Sequence, residues 1–439
     1  MKPPLLFSAS CLLLSALLVR AEEPPREWID PDTGHRIVRL SDEPGTASLY
    51  FHQNAYTPDG KKLIVTTPHG LATIDLSTRK IEPVVNEKVG VIVVGRKSGD
   101  IYYSKREGQE SVIFATNLET KATRKVATIK RGSIASVNSD ETLLLGSYSV
   151  SEEKAPPPSS SAQQMGEKNA TFQADYKAKE KDGSPMVFAR AKDNRLHEQL
   201  MKIREQGGKV LFTVNTKTGE VKEVYHEAEW LNHLQFSPTD PNLIMFCHEG
   251  PWHEVDRLWT IRTDGTDLKK IHTRTMNLEI WGHEFFSADG KTIWYDLQTP
   301  RGEVFWLAGY ELASGKRTWW ALDRNNWSVH YNVSPDGKLF AGDGGDDEMV
   351  AHAPDGKWIY LFRPTTTEEV GGIPVKTNDA LIHPGRFQPE RLVNMSKHNY
   401  RLEPNVTFTP DQKWIVFRSN MHGATQVYAV EIAKAAKAK

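Results

Sequence analysis

Polar side chains recur along the chain at equivalent positions, each just ahead of a copy of a short repeated motif. Their types are those that bind metal ions or transfer protons. The set comprises His52, Gln53, Asn54, His233, His283, Glu284, His330, Asn332, Arg401, Glu403 and Asn405. A single histidine at such a place is usually a satisfied structural group, whereas recurrence at equivalent places favours a shared function. Imidazole, carboxylate and amide oxygen together suit Mn²⁺, Zn²⁺ or Ca²⁺. The pattern therefore predicts a polar site, with a divalent metal as a candidate, where these segments meet.

The motif that follows these side chains occurs seven times and predicts the fold. It is an apolar or aromatic residue, then Ser, Thr or Asn, then Pro-Asp-Gly or a degraded form of it. The copies begin at Tyr56, Lys97, Asn138, Phe236, Phe286, Val333 and Phe408. Pro presets the turn and Gly takes its left-handed position, so each copy is a hairpin turn, and most copies precede a second hairpin. Four strands per repeat and seven repeats predict an all-β, seven-bladed β-propeller.

The propeller explains how distant segments would build one site. The residues ahead of each turn lie on the innermost strand of a blade, and the innermost strands surround the central channel. The motif spacing also leaves a long gap at residues 151–208, where Leu196, Leu200 and Ile203 follow helical spacing. We therefore expect a loop-and-helix insertion over one face, acting either as a lid or as a solvated excursion.

The terminal segments and the composition restrict the class of protein to which the chain can belong. Residues 1–21 read as a secretory signal peptide, which leaves one propeller over 22–439, bacterial and periplasmic or secreted, with no membrane attachment after cleavage. The mature chain then keeps only Cys247, so no internal disulfide is expected. A formal charge of −1 gives no electrostatic case for nucleic acid. The segment His248–His253 has a Gly-Pro break where a zinc-binding helix would run, and no nucleophile elbow or phosphate loop occurs.

Several segments resemble the oligogalacturonate lyase family. They are Trp230–His233, Phe246–Pro251, Val255–Trp259, His283–Phe285, His330 with Gly342–Gly344, and Phe408–Asp411 with Ser419–Gly423. The resemblance covers most of the mature chain and is weakest across the insertion. It implies a seven-bladed propeller that cleaves short pectin fragments by β-elimination with a manganese ion.

The resemblance also implies roles for individual residues. His283 would be the general base, Arg257 the partner that stabilises the substrate carboxylate, and His330 a metal ligand. Removal of the proton beside a uronate carboxylate suits a neutral histidine assisted by positive charge. The remaining inner polar residues are candidates for substrate binding, namely His52, Gln53, His233, His248 and Arg401.

The chain departs from the family at one motif. Where the family has a His-Pro-His pair of ligands, this chain has Glu403-Pro404-Asn405. Glu403 and Asn405 still suit a hard cation, or the ion is lost and Arg401 or His398 binds the carboxylate instead. Two further functions stay open: a lyase for another uronate glycan, and a non-catalytic periplasmic propeller that binds a glycan or a protein.

Overall fold

The computed structural model describes residues 24–108, 110–151, 188–366 and 382–435, and strands dominate it. The chain begins with β1 (Glu27–Ile29) and β2 (His35–Arg39). Three sheets follow, formed by β3 (Ala47–Ser48), β4 (Lys62–Thr67), β5 (Gly70–Asp75) and β6 (Ile81–Val85); by β7 (Gly90–Val94), β8 (Asp100–Glu107), β9 (Glu110–Asn117) and β10 (Thr123–Ile129); and by β11 (Ser133–Val137), β12 (Leu143–Ser149), β13 (Lys209–Asn215) and β14 (Val221–Glu227). Between β12 and β13 lies the helix α1 (Phe188–Glu205).

The second half of the chain repeats the same unit. Its sheets contain β15 (Leu231–Phe236), β16 (Leu243–His248), β17 (Leu258–Arg262) and β18 (Lys269–Lys270); β19 (Ile280–Phe286), β20 (Thr292–Gln298), β21 (Phe305–Glu311) and β22 (Arg317–Leu322); β23 (Tyr331–Val333), β24 (Phe340–Gly342), β25 (Trp358–Thr366) and β26 (Ile382–Asn394); and β27 (Thr407–Phe408), β28 (Trp414–Ser419) and β29 (Gln426–Lys434). A short 3₁₀ turn spans Arg324–Asn326.

The strand order confirms the predicted seven-bladed propeller. Each blade is an antiparallel meander, and each repeated turn joins its innermost strand to the second strand. The last blade is completed from the other end of the chain, because β2 pairs with β29 and β1 adds a fifth strand. This pairing closes the ring and leaves the last blade without an open edge at β29. The fifth and sixth blades are also joined, since β22 pairs in parallel with β26.

Apolar side chains between adjacent blades hold the ring together. The largest fully buried ones include Trp281, Trp306 and Trp319, which pack in one cluster between the fourth and fifth blades. Burying a side chain of this size stabilises the fold by roughly 1.5–3 kcal/mol or more. Among the described residues, no helix has the length and apolar character needed to cross a bilayer. The predicted signal peptide (1–21) lies outside the described residues.

The innermost strands are irregular at the positions that carry the histidines. Pairing of β15 with β16 shifts register between Asn232 and Gln235, and pairing of β19 with β20 shifts between Gly282 and Phe285. The residues in these two bulges, His233 and His283, have φ of 50° and 49°, a left-handed conformation that is unfavourable for side chains other than glycine. Bulges of this kind re-aim side chains and are common beside functional sites.

Candidate active site

A cavity of about 1020 Å³, counting its open mouth, lies where the chain enters the innermost strands. Its wall includes Lys192, Trp252, His283, Arg301, Arg401 and Glu403. These residues come from α1, from the loop between β16 and β17, from β19 itself, and from the segments that lead into β21 and β27. The propeller therefore brings together side chains that are far apart in sequence, as the inner-strand pattern predicted.

His283 has the arrangement of a general base. Its Nδ1 lies 3.1 Å from Oδ1 of Asp296, whose side chain is almost fully buried. Asp296 stands on β20, directly opposite Gly282 in the strand pairing, so the bulge at His283 brings the ring to it. An ionised carboxylate accepts hydrogen bonds and cannot donate one, so Nδ1 carries the hydrogen and Nε2 keeps its lone pair. The ring is thereby fixed in the tautomer that can accept a proton.

His330 lies beside His283, with the two ring centroids 4.8 Å apart. Its Nδ1 contacts Asp343 at 2.9 Å, and its ring stacks on Phe51 at 4.7 Å. Burial lowers the pKa of His330 to about 3, so the imidazole is neutral. Burial raises the pKa of Asp343 to about 7, while the backbone amides of His330 and Asn405 donate to it and favour its ionised form. In that form it accepts from Nδ1 and leaves the lone pair on Nε2, the arrangement found for histidines that bind metals.

The groups around Nε2 of His330 fit a divalent cation. Oε2 of Glu403 lies 3.8 Å from this nitrogen, and the hydroxyl of Tyr50 lies 3.2 Å from it. Oε2 of Glu403 is buried and has no hydrogen-bond partner among the described residues. A buried carboxylate oxygen without a partner is costly, and a bound cation removes that cost. One imidazole nitrogen and one carboxylate oxygen are ligands that manganese accepts.

Asn405, the third predicted ligand, is already used within the fold. Its Oδ1 accepts from the backbone amide of Phe51 at 3.0 Å, and its Nδ2 donates to the carbonyl of Glu403 at 3.0 Å. Only the second lone pair of Oδ1 is left for an ion. The hydrogen bonds of Asn405 instead stabilise the segment that carries Glu403.

Arg257 lies behind the cavity wall rather than in it. Its guanidinium is fully buried and contacts Glu249 at 2.7 Å and Glu284 at 3.0 Å. The ring of Trp252 covers it at 4.5 Å, and the same ring lies 5.2 Å from His283. Direct contact between Arg257 and a substrate carboxylate requires Trp252 to move, so its role as carboxylate partner stays a prediction.

His233 belongs to the same buried network. Its two nitrogens lie 3.4 Å from Glu249 and 3.3 Å from Glu284. Ligand atoms of His233, Cys247 and Glu249 lie within 4.8 Å of one another, which is close enough for a metal. Arg257 already contacts this carboxylate and donates to the sulfur at 3.6 Å, and burial raises the pKa of the Cys247 thiol. The guanidinium therefore occupies the place of a cation there.

The other predicted binding residues are spread over the fold. Arg401 is exposed at the cavity wall, as expected for a substrate contact. His52 and Gln53 line a separate cavity nearer to the repeated turns. His248 lies 3.1 Å from Glu227 and stacks on Trp259, away from the main cavity. Binding roles for His52, Gln53 and His248 stay predictions that the geometry of the main cavity does not support.

Sequence reasoning missed several residues of the site, among them Asp296, Lys192 and Trp252. Asp296 had a signal, because it is the one charged residue in the strand Thr292–Gln298, and it follows three bulky apolar or aromatic residues. Lys192 also had one, since it precedes Leu196 and Leu200 at four-residue intervals and so shares their helix face. Trp252 lies in the segment His248–His253, whose Gly-Pro break argues against a zinc-binding helix. Its position over Arg257 depends on tertiary packing alone.

The fold and the cavity define a class: a seven-bladed β-propeller with paired histidine–carboxylate groups where the chain enters its inner strands. A sequence profile described as oligogalacturonate lyase matches residues 206–436. The match spans more than half of the chain, and the chain belongs to the oligogalacturonate lyase family.

Individual relatives agree with this assignment. The oligogalacturonide lyase of Pectobacterium atrosepticum is 26% identical over 238 residues, which cover 51% of this chain and 55% of that protein. The oligogalacturonate lyase of Dickeya dadantii is 25% identical over 233 residues, with the same coverage. The matched region thus spans about half the length of these curated relatives.

Solved structures extend the likeness of fold to nearly the whole chain. An oligogalacturonate lyase in complex with manganese has a TM-score of 0.68 at 22% identity, covering 93% of this chain and 96% of its own. An oligogalacturonate lyase from Vibrio parahaemolyticus has a TM-score of 0.67 at 19% identity, with the same coverage. At these identities the likeness is one of fold.

Proposed function

We propose that this chain is a carbon–oxygen lyase that cleaves short uronate-containing oligosaccharides, of the oligogalacturonate kind, by β-elimination. The observation that carries the proposal is His283, held in a proton-accepting tautomer by buried Asp296 at the wall of a large open cavity. Family membership supports the same reaction, because the curated relatives are named as lyases of oligogalacturonides.

The reaction divides among the residues of the cavity as follows. Nε2 of His283 takes the proton from the carbon next to the uronate carboxylate, and the electrons of that bond form the new double bond. The bond from the next carbon to the glycosidic oxygen breaks, its electrons stay on that oxygen, and the oxygen takes up a proton from water as it leaves with the other fragment. Asp296 stabilises the imidazolium that forms, as the acid of a catalytic triad does. Positive charge near the carboxylate is needed at the same moment, because negative charge develops there.

We propose that His330 and Glu403 hold a manganese ion, with Nε2 and Oε2 as ligand atoms. The support is the unpartnered Oε2, the neutral ring of His330, and the manganese complex of a protein with the same fold. When bound, the ion supplies positive charge beside the substrate carboxylate. Asp343 holds the ring of His330 in place through Nδ1, and the Tyr50 hydroxyl, which contacts Nε2, has to turn away when the ion binds.

A lyase for a different uronate glycan is the second candidate. It is favoured by Glu403-Pro404-Asn405, where this chain departs from the ligand pair of the family. The same cavity and the same base serve either substrate, so the two candidates differ in the sugar and not in the reaction.

Product analysis tests the reaction itself. Purified protein is incubated with oligogalacturonates and with a panel of other uronate oligomers, with added Mn²⁺ and after chelation, and products are identified by mass spectrometry. Elimination gives one fragment with a double bond, whereas hydrolysis divides one water molecule between the two fragments and gives no double bond. Unsaturated fragments that need Mn²⁺ support the proposal in full. Unsaturated fragments that still form after chelation contradict the metal requirement but not the elimination. Substrates that stay intact under all conditions contradict the proposed lyase activity.

We also propose export from the cytoplasm. The support is the apolar run from Leu5 to Val19 ahead of Arg20-Ala21, which is typical of a secretory signal peptide. Expression with this segment in a bacterial host should yield periplasmic protein that begins at Glu22. Full-length protein retained in the cytoplasm would contradict export.

A further inference from the structure

The helix of the insertion, α1, is docked on the propeller as part of the cavity wall. Leu196, Leu200 and Ile203 pack against Trp230 and Val255 in one buried cluster. Ion pairs fasten the helix at several points along its length. They join Asp193 to Arg301, His197 to Glu254, and Arg204 to Glu229. A segment with this much apolar and charged contact is a fixed wall in the described state.

Lys192 projects from this helix into the cavity. Its Nζ lies 4.7 Å from the centroid of the Trp252 ring, the ring that also contacts His283. It lines the cavity together with His283 and Arg301. Lys192 precedes Leu196 and Leu200 at four-residue intervals, so the helix face that docks on the propeller is also the face that presents the lysine.

The charges around Lys192 leave its ammonium without a counterion. Asp193, the neighbouring acid, is engaged by Arg301, and Glu249 is engaged by Arg257. Within the described part of the chain, Lys192 forms no ion pair, and its ammonium lies over the face of Trp252. Burial lowers the pKa of Lys192, so a bound anion would stabilise its charged form.

We infer that Lys192 forms a subsite for one uronate unit of the substrate, with its ammonium leaving the face of Trp252 to bind the carboxylate. This subsite rests on the proposed function, whose substrate it specifies. Lys192 is therefore a specificity-determining residue that the insertion supplies, and it selects uronates over neutral sugars. The lysine ammonium is a compact point charge, so it recognises a carboxylate by its charge more than by its shape.

Binding measurements isolate this subsite from the reaction. Dissociation constants are measured by calorimetry on the His283→Ala background, where substrate persists, for a galacturonate oligomer and for its methyl ester. Lys192→Met is compared with Lys202→Met, which changes an exposed lysine of the same helix. We expect Lys192→Met to weaken binding of the acid roughly ten- to a hundredfold, the range for a hydrogen bond to a charged group. Binding of the methyl ester should stay unchanged, as should both ligands with Lys202→Met.

The outcomes separate the subsite from the lyase. Equal weakening of acid and ester, or no weakening by Lys192→Met, overturns the subsite while leaving the reaction to product analysis. If Lys192→Met selectively weakens binding of the acid and the wild-type protein makes no unsaturated product, the subsite is supported and the reaction is not. If the His283→Ala protein binds neither ligand, the subsite is overturned, and product analysis of the wild type decides the reaction.

Discussion

Replacing Asp296 by Asn tests how His283 is prepared for proton abstraction. The change keeps size and removes charge, and Asn can donate to Nδ1 and so favour the tautomer with its hydrogen on Nε2. That tautomer cannot accept the substrate proton. The carboxylate also stabilises the imidazolium formed during the reaction, since Oδ1 lies 3.1 Å from Nδ1.

The size of the effect follows from this geometry. With the two charges about 4 Å apart after delocalisation, and an effective dielectric constant of about 20, their attraction is about 4 kcal/mol. Each 1.36 kcal/mol is a factor of ten in rate, so kcat should fall about a thousandfold. Substrate binding uses other residues, so KM should change little.

The assay is steady-state formation of the unsaturated product, followed by its ultraviolet absorbance. Asp267→Asn is the matched control, because Asp267 is exposed and its left-handed φ of 55° suits asparagine. Thermal unfolding checks that both variants are folded. A folded Asp296→Asn protein with kcat within about tenfold of the wild type would refute the role of Asp296, since one lost charged hydrogen bond alone accounts for that much.

Three further perturbations follow from the buried contacts. Arg257→Met should lower the free energy of unfolding by about 3–5 kcal/mol at neutral pH, because Glu249 and Glu284 lose their buried partner. Burial alone opposes ionisation of Glu249, but Arg257 and His233 outweigh it and lower its pKa to about 2. A depressed pKa contributes stability above pH 4.5 that is lost as pH falls towards about 2, so the difference between wild type and variant should narrow on acidification. Gly282→Ala should cost about 1–3 kcal/mol of stability and reduce kcat, because the added Cβ would lie 2.5 Å from the Trp252 ring beside His283. Glu403→Gln should weaken Mn²⁺ binding by at least about tenfold, since it removes a charged ligand.

Each of these variants has a control and a measurement. Denaturant unfolding across pH compares Arg257→Met with Arg386→Met, an exposed arginine, and equal stabilities would contradict the buried network. Gly282→Ala is repeated in a Trp252→Phe background, where the smaller ring should relieve the clash; an undiminished cost would place the strain elsewhere. Electron paramagnetic resonance of free Mn²⁺ compares Glu403→Gln with exposed Glu87→Gln. Unchanged affinity in both would remove Glu403 from the metal site.

The fold could be predicted because its signal is local and repeated. Each copy of the repeated turn motif specifies its own hairpin. Seven copies therefore specify seven blades without knowledge of any long-range contact. The closure of the ring by β2 on β29 had no such signal, since it joins two ends of the chain by backbone pairing. Of the polar residues ahead of the turns, His283 and Glu403 line one cavity, whereas His52 and Gln53 line another, so position along the strand alone does not decide which cavity a residue faces.

The partners of the site residues could be predicted less well. Arg257 follows Asp256 in sequence, yet its charge is neutralised by Glu249 and Glu284, which come from two neighbouring blades. Those contacts, and the cover of Trp252 above them, depend on how blades pack. The place of Lys192 in the site could not be predicted for the same reason. Helical spacing predicts α1 and its apolar face, but only the docked helix places Lys192 beside Trp252.

The central claim is that His283 removes the substrate proton, and the most direct measurement is the initial rate of ultraviolet absorbance on oligogalacturonates for His283→Ala. We predict a loss of kcat of roughly a hundred- to ten-thousandfold, the usual contribution of a general base, with KM little changed. His69→Ala, at a highly exposed histidine, should match the wild type. Wild-type kcat in a folded His283→Ala protein would contradict the account, because no other group in the cavity has been assigned the proton.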